Sequence, residues 1–277
     1  MPFFFLGSSA LFKNPPLYYS LLKRYSWSQM RFNKCVFLFC LAVAFLGLSS
    51  PFCASARSID EIQAGLDLRE TGERIAFWAD YFVGTPYDKD PLGEYVTRKS
   101  IIADERVDCM YLVFRSVELA LSSSPAGAQQ TALDKRFHTK GIVDGGAIVN
   151  YDERFQYGEE MIDSGKWGRE ITGVAGKTAK IRDERRGLEI AYAPVNSLKA
   201  GKSRLKSGDV VFFIKRPEKR VYGEVVGHMG VIKVEKGRVL LIHAAGTKKA
   251  GGMVRKVGWE DYLRTTPYIG AKITRFD

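Results

Sequence analysis

Thiol and imidazole side chains are scarce in this sequence. Its 277 residues include four cysteines and three histidines. Cys35, Cys40 and Cys53 precede the processing site predicted below, so Cys109 is the only thiol of the mature chain. An internal disulfide is therefore excluded, and a lone thiol in an exported chain is either intermolecular or reactive.

Apolar runs long enough to span a membrane are also lacking. The apolar run over residues 35–48 is short against the roughly 20 residues that a spanning helix needs. Arg31 and Lys34 precede it and the small residues 54–56 follow it, which is the order of a secretory signal peptide. We predict cleavage after Ala56, with an uncleaved anchor as the alternative.

This prediction divides the chain into three parts. Residues 1–29 fit no targeting pattern and are an uncertain upstream extension, with Met30 as an alternative start. Residues 30–56 form the signal peptide, and residues 57–277 form a single mature domain of 221 residues, enough for a substantial core. The mature protein is expected to be periplasmic or extracellular, without stable membrane insertion.

The excess of positive charge is moderate, and the sequence carries no recognisable nucleic-acid motif. Loss of the five basic residues of the leader lowers the formal charge from +11 to +6. Basic clusters at 199–206 and 215–220 could dock on an anionic polymer, although a solvated polar face accounts better for each cluster by itself. Export makes nucleic acid a poor partner.

The mature chain is helical first and strand-rich second. Ser58 predicts the N-cap of a helix that extends to about Leu68. Thr71 predicts the cap of a second helix, which stops at Gly84. A polar loop then leads towards the cysteine.

Apolar residues recur from Cys109 at offsets of three, four, eight, eleven and twelve, which predicts a third helix with the cysteine on the inward face of its first turn. Asp108 is a natural N-cap. Most free cysteines are buried hydrophobes. A thiol at the positive end of a helix dipole, however, has its pKa lowered from about 8.5, which favours the nucleophilic thiolate.

Three strands are predicted in the C-terminal half, at residues 210–214, 227–234 and 238–245. A two-residue turn at 236–237 would pair residues of the last two strands whose numbers sum to 473. His243 would then face position 230, and both His228 and His243 would project from one face, roughly 7 to 8 Å apart at the backbone. A three-residue turn would place them on opposite faces.

Gly227 and Gly230 flank His228 with almost no side-chain bulk. Glycine at such positions is typical where another element approaches closely, and here we expect that element to be the helix of Cys109.

Cys109, His228 and His243 are together the set that a thiol-dependent acyl-transfer enzyme needs: a thiol, a base and a group that orients the base. The same three residues also suit a catalytic zinc ion with water in the fourth position. The placement of the thiol at a helix start favours the first alternative. The remaining histidine, His138, lies in a polar segment and is interpreted as a surface residue.

Five short motifs follow one another along the mature chain. They are Gly84-Thr85-Pro86-Tyr87, Asp108-Cys109, Gly208-Asp209-Val210-Val211-Phe212, His228-Met229-Gly230-Val231-Ile232 and Leu241-Ile242-His243-Ala244-Ala245. In this order they resemble the motifs of the NlpC-type papain-like cell-wall cysteine peptidases. Within that group the sequence is most similar to the N-acetylmuramoyl-L-alanine amidase-like family, over roughly residues 72–277.

The resemblance implies an α+β, papain-like (NlpC-type) fold, with helices first and the nucleophile at a helix N-terminus packed on a C-terminal antiparallel β-sheet. It implies Cys109 as the nucleophile, His228 as the base and His243 as the residue that fixes the imidazole. The backbone N–H of Cys109 and the hydroxyl of Tyr87 would stabilise the oxyanion.

The resemblance also implies substrate-binding residues. Asp108 matches the acidic residue that holds the free amine of an L-alanyl stem peptide, and Arg154 with Tyr157 matches an arginine and aromatic pair near a middle helix. The sequence departs from the family at Met110-Tyr111, where small hydroxyl residues are common. This departure puts amine recognition in question.

The predicted function is an exported amidase or peptidase that hydrolyses an amide of bacterial peptidoglycan or of muropeptides through a thioester, without a cofactor or metal. One alternative is the zinc amidase described above. The other is a non-catalytic wall-binding protein, if residues 110–111 crowd the cleft. The oligomeric state and the scissile bond stay open.

Overall fold

The computed structural model describes residues 58–66 and 69–277. In this part of the chain the strands are β1 (Val143–Asp144), β2 (Ala147–Ile148), β3 (Arg169–Glu170), β4 (Ala179–Asp183), β5 (Leu188–Pro194), β6 (Val210–Ile214), β7 (Val226–Glu235), β8 (Arg238–Thr247), β9 (Gly251–Gly258) and β10 (Gly270–Arg275). Eight of these described strands form one antiparallel sheet in the order β4-β5-β10-β6-β7-β8-β9, with β3 paired to β10.

Most of the longer helices precede the sheet in the chain. The helices are α1 (Ile59–Leu66), α2 (Thr71–Tyr81), α3 (Glu94–Thr97), α4 (Cys109–Ala120), α5 (Pro125–Lys135), α6 (Gly158–Asp163), α7 (Val195–Ala200) and α8 (Trp259–Thr265). Short 3₁₀ turns occupy Tyr151–Glu153, Thr172–Ala175, Lys202–Arg204 and Pro217–Lys219. The architecture is α+β, and its assignment to the NlpC-type papain-like fold stays a prediction.

The helix that begins at Cys109 lies at the centre of the fold. α4 packs against α2, α5, β7 and β8, and its residues from Tyr111 onward are buried on every face. The predicted single inward stripe therefore understates its burial. Because both helices and the two strands pack on α4, only Cys109 and Met110 of its residues are left partly accessible.

The structure shows which residues cap the N-termini of α1 and α2. Ser58 caps α1, since its hydroxyl accepts the Glu61 N–H (3.3 Å) and the Glu61 carboxylate accepts the Ser58 N–H (3.0 Å). The predicted end at residue 68 lies outside the described residues. Thr71 is the first helical residue of α2 and not its cap. Glu70 holds the extended conformation (ψ 147°) that precedes the helix.

The turn between β7 and β8 has two residues, as predicted. Lys236 and Gly237 both have positive φ (50° and 74°), the conformation of a tight hairpin turn. The ladder runs from Glu235 opposite Arg238 to Val231 opposite Ile242, so paired positions sum to 473. The two histidines lie beyond the end of this ladder, on the same face.

The sheet carries an apolar layer on each face. Met229, Val231 and Ile242 belong to the layer shared with α2 and α4. Phe213 and Leu241 belong to the opposite layer, which includes α8. His228 stacks on Phe213, so the histidine pair lies on the α8 face of the sheet.

The upstream extension (1–29) and the signal peptide (30–56) lie outside the described residues and stay predictions. Among residues 58–66 and 69–277, no helix has the length and apolar character needed to cross a membrane.

Candidate active site

His228 and His243 form a hydrogen-bonded pair. His228 Nε2 lies 2.8 Å from His243 Nδ1, and the two rings stand edge to face with centroids 5.0 Å apart. This confirms the predicted diagonal contact. Since Nε2 of His228 is engaged by His243, Nδ1 is the nitrogen of His228 that is left to accept a proton from another group.

Aromatic rings that the sequence analysis did not identify surround this pair. The ring of His228 lies nearly parallel to Tyr268 (centroids 6.1 Å apart, interplanar angle 5°) and stacks on Phe213 (6.0 Å). Tyr262 contacts His243 at 5.0 Å, edge to face. No short spacing in the sequence connects α8 and the residues after it with the histidine strands, which is why these side chains were missed.

Burial among these rings keeps both imidazoles neutral. It lowers the pKa of His228 to about 3, with a further contribution from the neighbouring His243. Burial, together with the positive charge of Arg255, lowers the pKa of His243 to about 4. Both rings therefore stay neutral at pH 7, the form in which His228 can act as a base.

Cys109 is the first residue of α4 and is half-buried. The backbone N–H of Met229, the residue after His228, interacts with its sulfur. Tyr87, Tyr262 and Tyr268 are each close enough to Cys109 to interact electrostatically with it. The thiol and the histidine pair therefore share the same aromatic surroundings.

The glycines on either side of His228 make room for elements other than α4. A Cβ atom at Gly230 would lie 2.6 Å from the Ile242 carbonyl oxygen and 3.1 Å from His243 Cβ. A Cβ atom at Gly227 would lie 2.3 Å from a side-chain carbon of Lys215. The expectation that these glycines admit the cysteine helix is therefore wrong, because β8 and the end of β6 occupy those spaces.

The pKa of Cys109 is raised to about 12, not lowered as its helix position predicted. Burial is the largest cause, and the carboxylate of Asp108 adds to it. The Met229 N–H and the Lys248 ammonium oppose both effects without cancelling them. The resting site consequently holds a neutral thiol beside neutral imidazoles.

We expect iodoacetamide at pH 7 to alkylate Cys109 about a hundredfold more slowly in the folded protein than in the urea-unfolded chain. The raised pKa leaves little thiolate, and the greater nucleophilicity of that thiolate offsets only part of the loss. Above pH 9 the folded rate should keep rising while the unfolded rate levels off. Mass spectrometry of the Cys109 peptide measures both rates, and equal rates at pH 7 would refute the neutral resting thiol.

Tyr87 is close enough to Cys109 to interact with it electrostatically, and its role as an oxyanion donor stays a prediction. Burial and the nearby Cys109 raise the pKa of its hydroxyl well above the usual value, so the hydroxyl keeps its proton and can donate it. Its N–H donates to the Gly252 carbonyl (2.9 Å). A Cβ atom at Gly246 would lie 2.5 Å from the Tyr87 ring, so the glycine allows this close packing.

Asp108 caps α4 as predicted: its Oδ1 accepts the N–H of Tyr111 at 2.9 Å. Its Oδ2 accepts a hydrogen bond from the Lys248 ammonium, also at 2.9 Å. Tyr111 itself is buried, and its hydroxyl donates to Asp104 (2.8 Å) and accepts the Ala103 N–H (2.6 Å). Its ring is therefore part of the core, whereas Met110 is partly accessible, and the non-catalytic alternative stays a prediction.

The proposed substrate pair is held within the 150–160 loop. Arg154 donates to the Tyr151 carbonyl (2.8 Å), and the guanidinium of Arg185 covers the ring of Tyr157 at 4.1 Å. Gly158 packs directly on Val226 and Met229, next to His228. The residue after Tyr157 thus packs on the strand that carries His228, and a substrate role for Arg154 and Tyr157 stays a prediction.

Within the described residues, no three histidine, cysteine, aspartate or glutamate side chains come together as a set that could hold a metal ion. Cys109, His228 and His243 thus do not form the ligand set that the zinc alternative requires.

No family model matches this chain, and no curated protein matches it. Its fold, however, is found in solved structures. A Legionella pneumophila protein of the family DUF1460 aligns over 78% of this chain and 92% of its own, with a TM-score of 0.59 and 18% identity.

A second solved structure is that of an N-acetylmuramoyl-L-alanine amidase from Bacteroides uniformis. It aligns over 75% of this chain and 99% of its own, with a TM-score of 0.56 and 21% identity. At these identities the likeness establishes a shared fold, and the chemistry has to be argued from the site.

Proposed function

We propose that this protein is an exported, cysteine-dependent amidase or peptidase that hydrolyses an amide bond of bacterial peptidoglycan through a thioester. The observation that carries the proposal is the His228–His243 hydrogen bond, together with the contact between the Cys109 sulfur and the N–H of Met229, the residue after His228. It leaves Nδ1 of an oriented, neutral imidazole available to the thiol.

In the first half of the reaction, the Cys109 sulfur attacks the amide carbon while Nδ1 of His228 takes the thiol proton. His243 holds the imidazole in place and stabilises the imidazolium by accepting the Nε2–H of His228. The tetrahedral intermediate collapses to a thioester, and the imidazolium protonates the leaving amine. Water, deprotonated by His228, then hydrolyses the thioester to the carboxylic acid and free thiol.

Proton transfer accompanies attack and does not precede it. The pKa of the thiol is raised to about 12 and that of His228 is lowered to about 3, so a thiolate and imidazolium pair is unfavourable before substrate binds. The developing charge on the amide oxygen is what makes the transfer favourable, because nearby donors stabilise that charge.

The proposed mechanism has two donors to the oxyanion. The N–H of Cys109 is among the first of α4, where N–H groups have no acceptor within the helix. The Tyr87 hydroxyl keeps its proton and lies beside the same sulfur. Both contribute to stabilising the tetrahedral intermediate.

Support for peptidoglycan as the substrate comes from a neighbour in fold and from features of the sequence. One neighbour in fold is named an N-acetylmuramoyl-L-alanine amidase. The sequence motifs are similar to those of cell-wall peptidases, and the predicted signal peptide would deliver the enzyme to the wall. The positive charge of the mature chain favours approach to a polymer rich in carboxylates.

Incubation with defined muropeptides, followed by mass identification of the products, tests this function. We expect a new amine end and a new carboxyl end, with activity retained in chelator and lost after alkylation of Cys109 at pH 9. Activity that survives alkylation, or that chelator removes, would exclude the cysteine mechanism.

A further inference from the structure

Lys248 reaches from the β8–β9 turn to the start of the nucleophile helix. Its ammonium lies 2.9 Å from Asp108 Oδ2 and 3.9 Å from Asp88 Oδ2, and it sits over the ring of Tyr87 at 5.8 Å. One third of its side chain is exposed. It is therefore a partly accessible cation next to Cys109.

This lysine pairs with Asp108, the carboxylate that the family resemblance implies as the partner of a substrate amine. Both oxygens of Asp108 already have donors, the Tyr111 N–H on Oδ1 and Lys248 on Oδ2. Asp88 is buried, and its two oxygens accept the N–H groups of Asp90 and Glu94, each at 2.8 Å. A substrate ammonium would thus meet a satisfied carboxylate and a like charge.

The turn that carries Lys248 is held in shape. The Ala250 N–H donates to the Thr247 hydroxyl at 3.0 Å, and Gly252 accepts the N–H of Tyr87. The first bond lies within the turn. The second connects the strand that follows the turn to the loop that carries Tyr87 and Asp88. The Lys248 ammonium is therefore held by a preorganised segment, which limits the conformational entropy lost when the ammonium contacts a ligand.

We propose that Lys248 determines substrate specificity by filling the amine position at Asp108, so that the cleft accepts acyl groups without a free amine beside the scissile bond. This inference rests on the proposed function and deepens it. An ammonium has three N–H donors, and those not bound to the carboxylates can contact a carbonyl, hydroxyl or carboxylate oxygen of the substrate. The favoured acyl portion is consequently N-acylated or oxygen-rich.

Isothermal titration calorimetry of the full chain carrying Cys109→Ala tests this proposal. The two ligands compared are an L-alanyl stem peptide and its N-acetyl derivative. We expect the N-acetyl form to bind about tenfold more tightly, since repulsion by Lys248 on the order of 1.4 kcal/mol corresponds to that ratio. Adding Lys248→Met should remove or reverse the preference, because Asp108 is then free to accept the substrate amine.

Lys249→Met is the matched control, since it removes the same charge from an exposed neighbour and should leave the preference unchanged. The proposal is overturned if Lys248→Met leaves the ratio as it was, if the parent prefers the free amine, or if neither peptide binds. Because binding is measured without the nucleophile, failure of the specificity proposal is distinct from failure of the cysteine mechanism. The latter is read from turnover of muropeptides by the chain with Cys109 intact.

Discussion

Cys109→Ala and His228→Ala are each expected to abolish turnover of the muropeptide substrate while the fold stays intact. In the proposed mechanism, the first removes the sulfur that forms the thioester, and the second removes the base that activates it. For residues that act as such a unit, losses in kcat on the order of 10⁴ or more are typical. Initial rates of amine release measure the effect, and circular dichroism checks the fold.

Two substitutions at His243, expected to lower activity to different extents, provide the control for this result. His243→Asn keeps a polar group opposite Nε2 of His228, so we expect a smaller loss than with His243→Ala, which leaves the imidazole without its partner. Equal activity of His243→Ala and the parent would show that this hydrogen bond does not orient the base. Full activity of His228→Ala would end the cysteine mechanism altogether.

Arg136→Met is expected to destabilise the protein by about 3–5 kcal/mol, because it leaves a buried carboxylate without its main partner. Arg136 is fully buried and donates to Glu118 through Nε (2.6 Å) and Nη2 (2.8 Å). It also lies over the rings of Tyr95 and Tyr111. Urea denaturation followed by tryptophan fluorescence measures the change in the free energy of unfolding.

Arg182→Met is the matched control for this prediction. Arg182 pairs with Glu184 at 3.5 Å, but both side chains are mostly exposed, so the expected loss is below about 1 kcal/mol. If the two variants lost equal stability, burial would not be the cause. The buried network also matters to the site, since Glu118 and Arg115 lie on the same helix as Cys109.

Features that depend on neighbours in sequence were predicted well. The cap of α4 involves Asp108 and Tyr111, three residues apart, so the position of the cysteine at a helix start could be inferred directly. The two-residue turn at Lys236-Gly237 fixed the register of β7 and β8. That register placed His228 and His243 on one face, because side chains alternate along a strand.

The electrostatic state of the site could not be predicted in this way. The helix position of Cys109 suggested a lowered pKa, whereas burial and the carboxylate of Asp108 raise it. The aromatic rings around His228 come from Phe213, Tyr262 and Tyr268, on elements whose packing no local pattern reveals. How deeply a group is buried is a property of the assembled fold.

The sequence by itself thus determined which residues begin the helix of Cys109 and how the histidine strands pair, since capping and turn geometry act over a few residues. Only the tertiary structure decided that Lys248 reaches Asp108, 140 positions away, and that Tyr111 is buried with its hydroxyl on Asp104. Desolvation and charge pairing depend on which surfaces meet when the helices pack on the sheet, and that information is not local to any one segment.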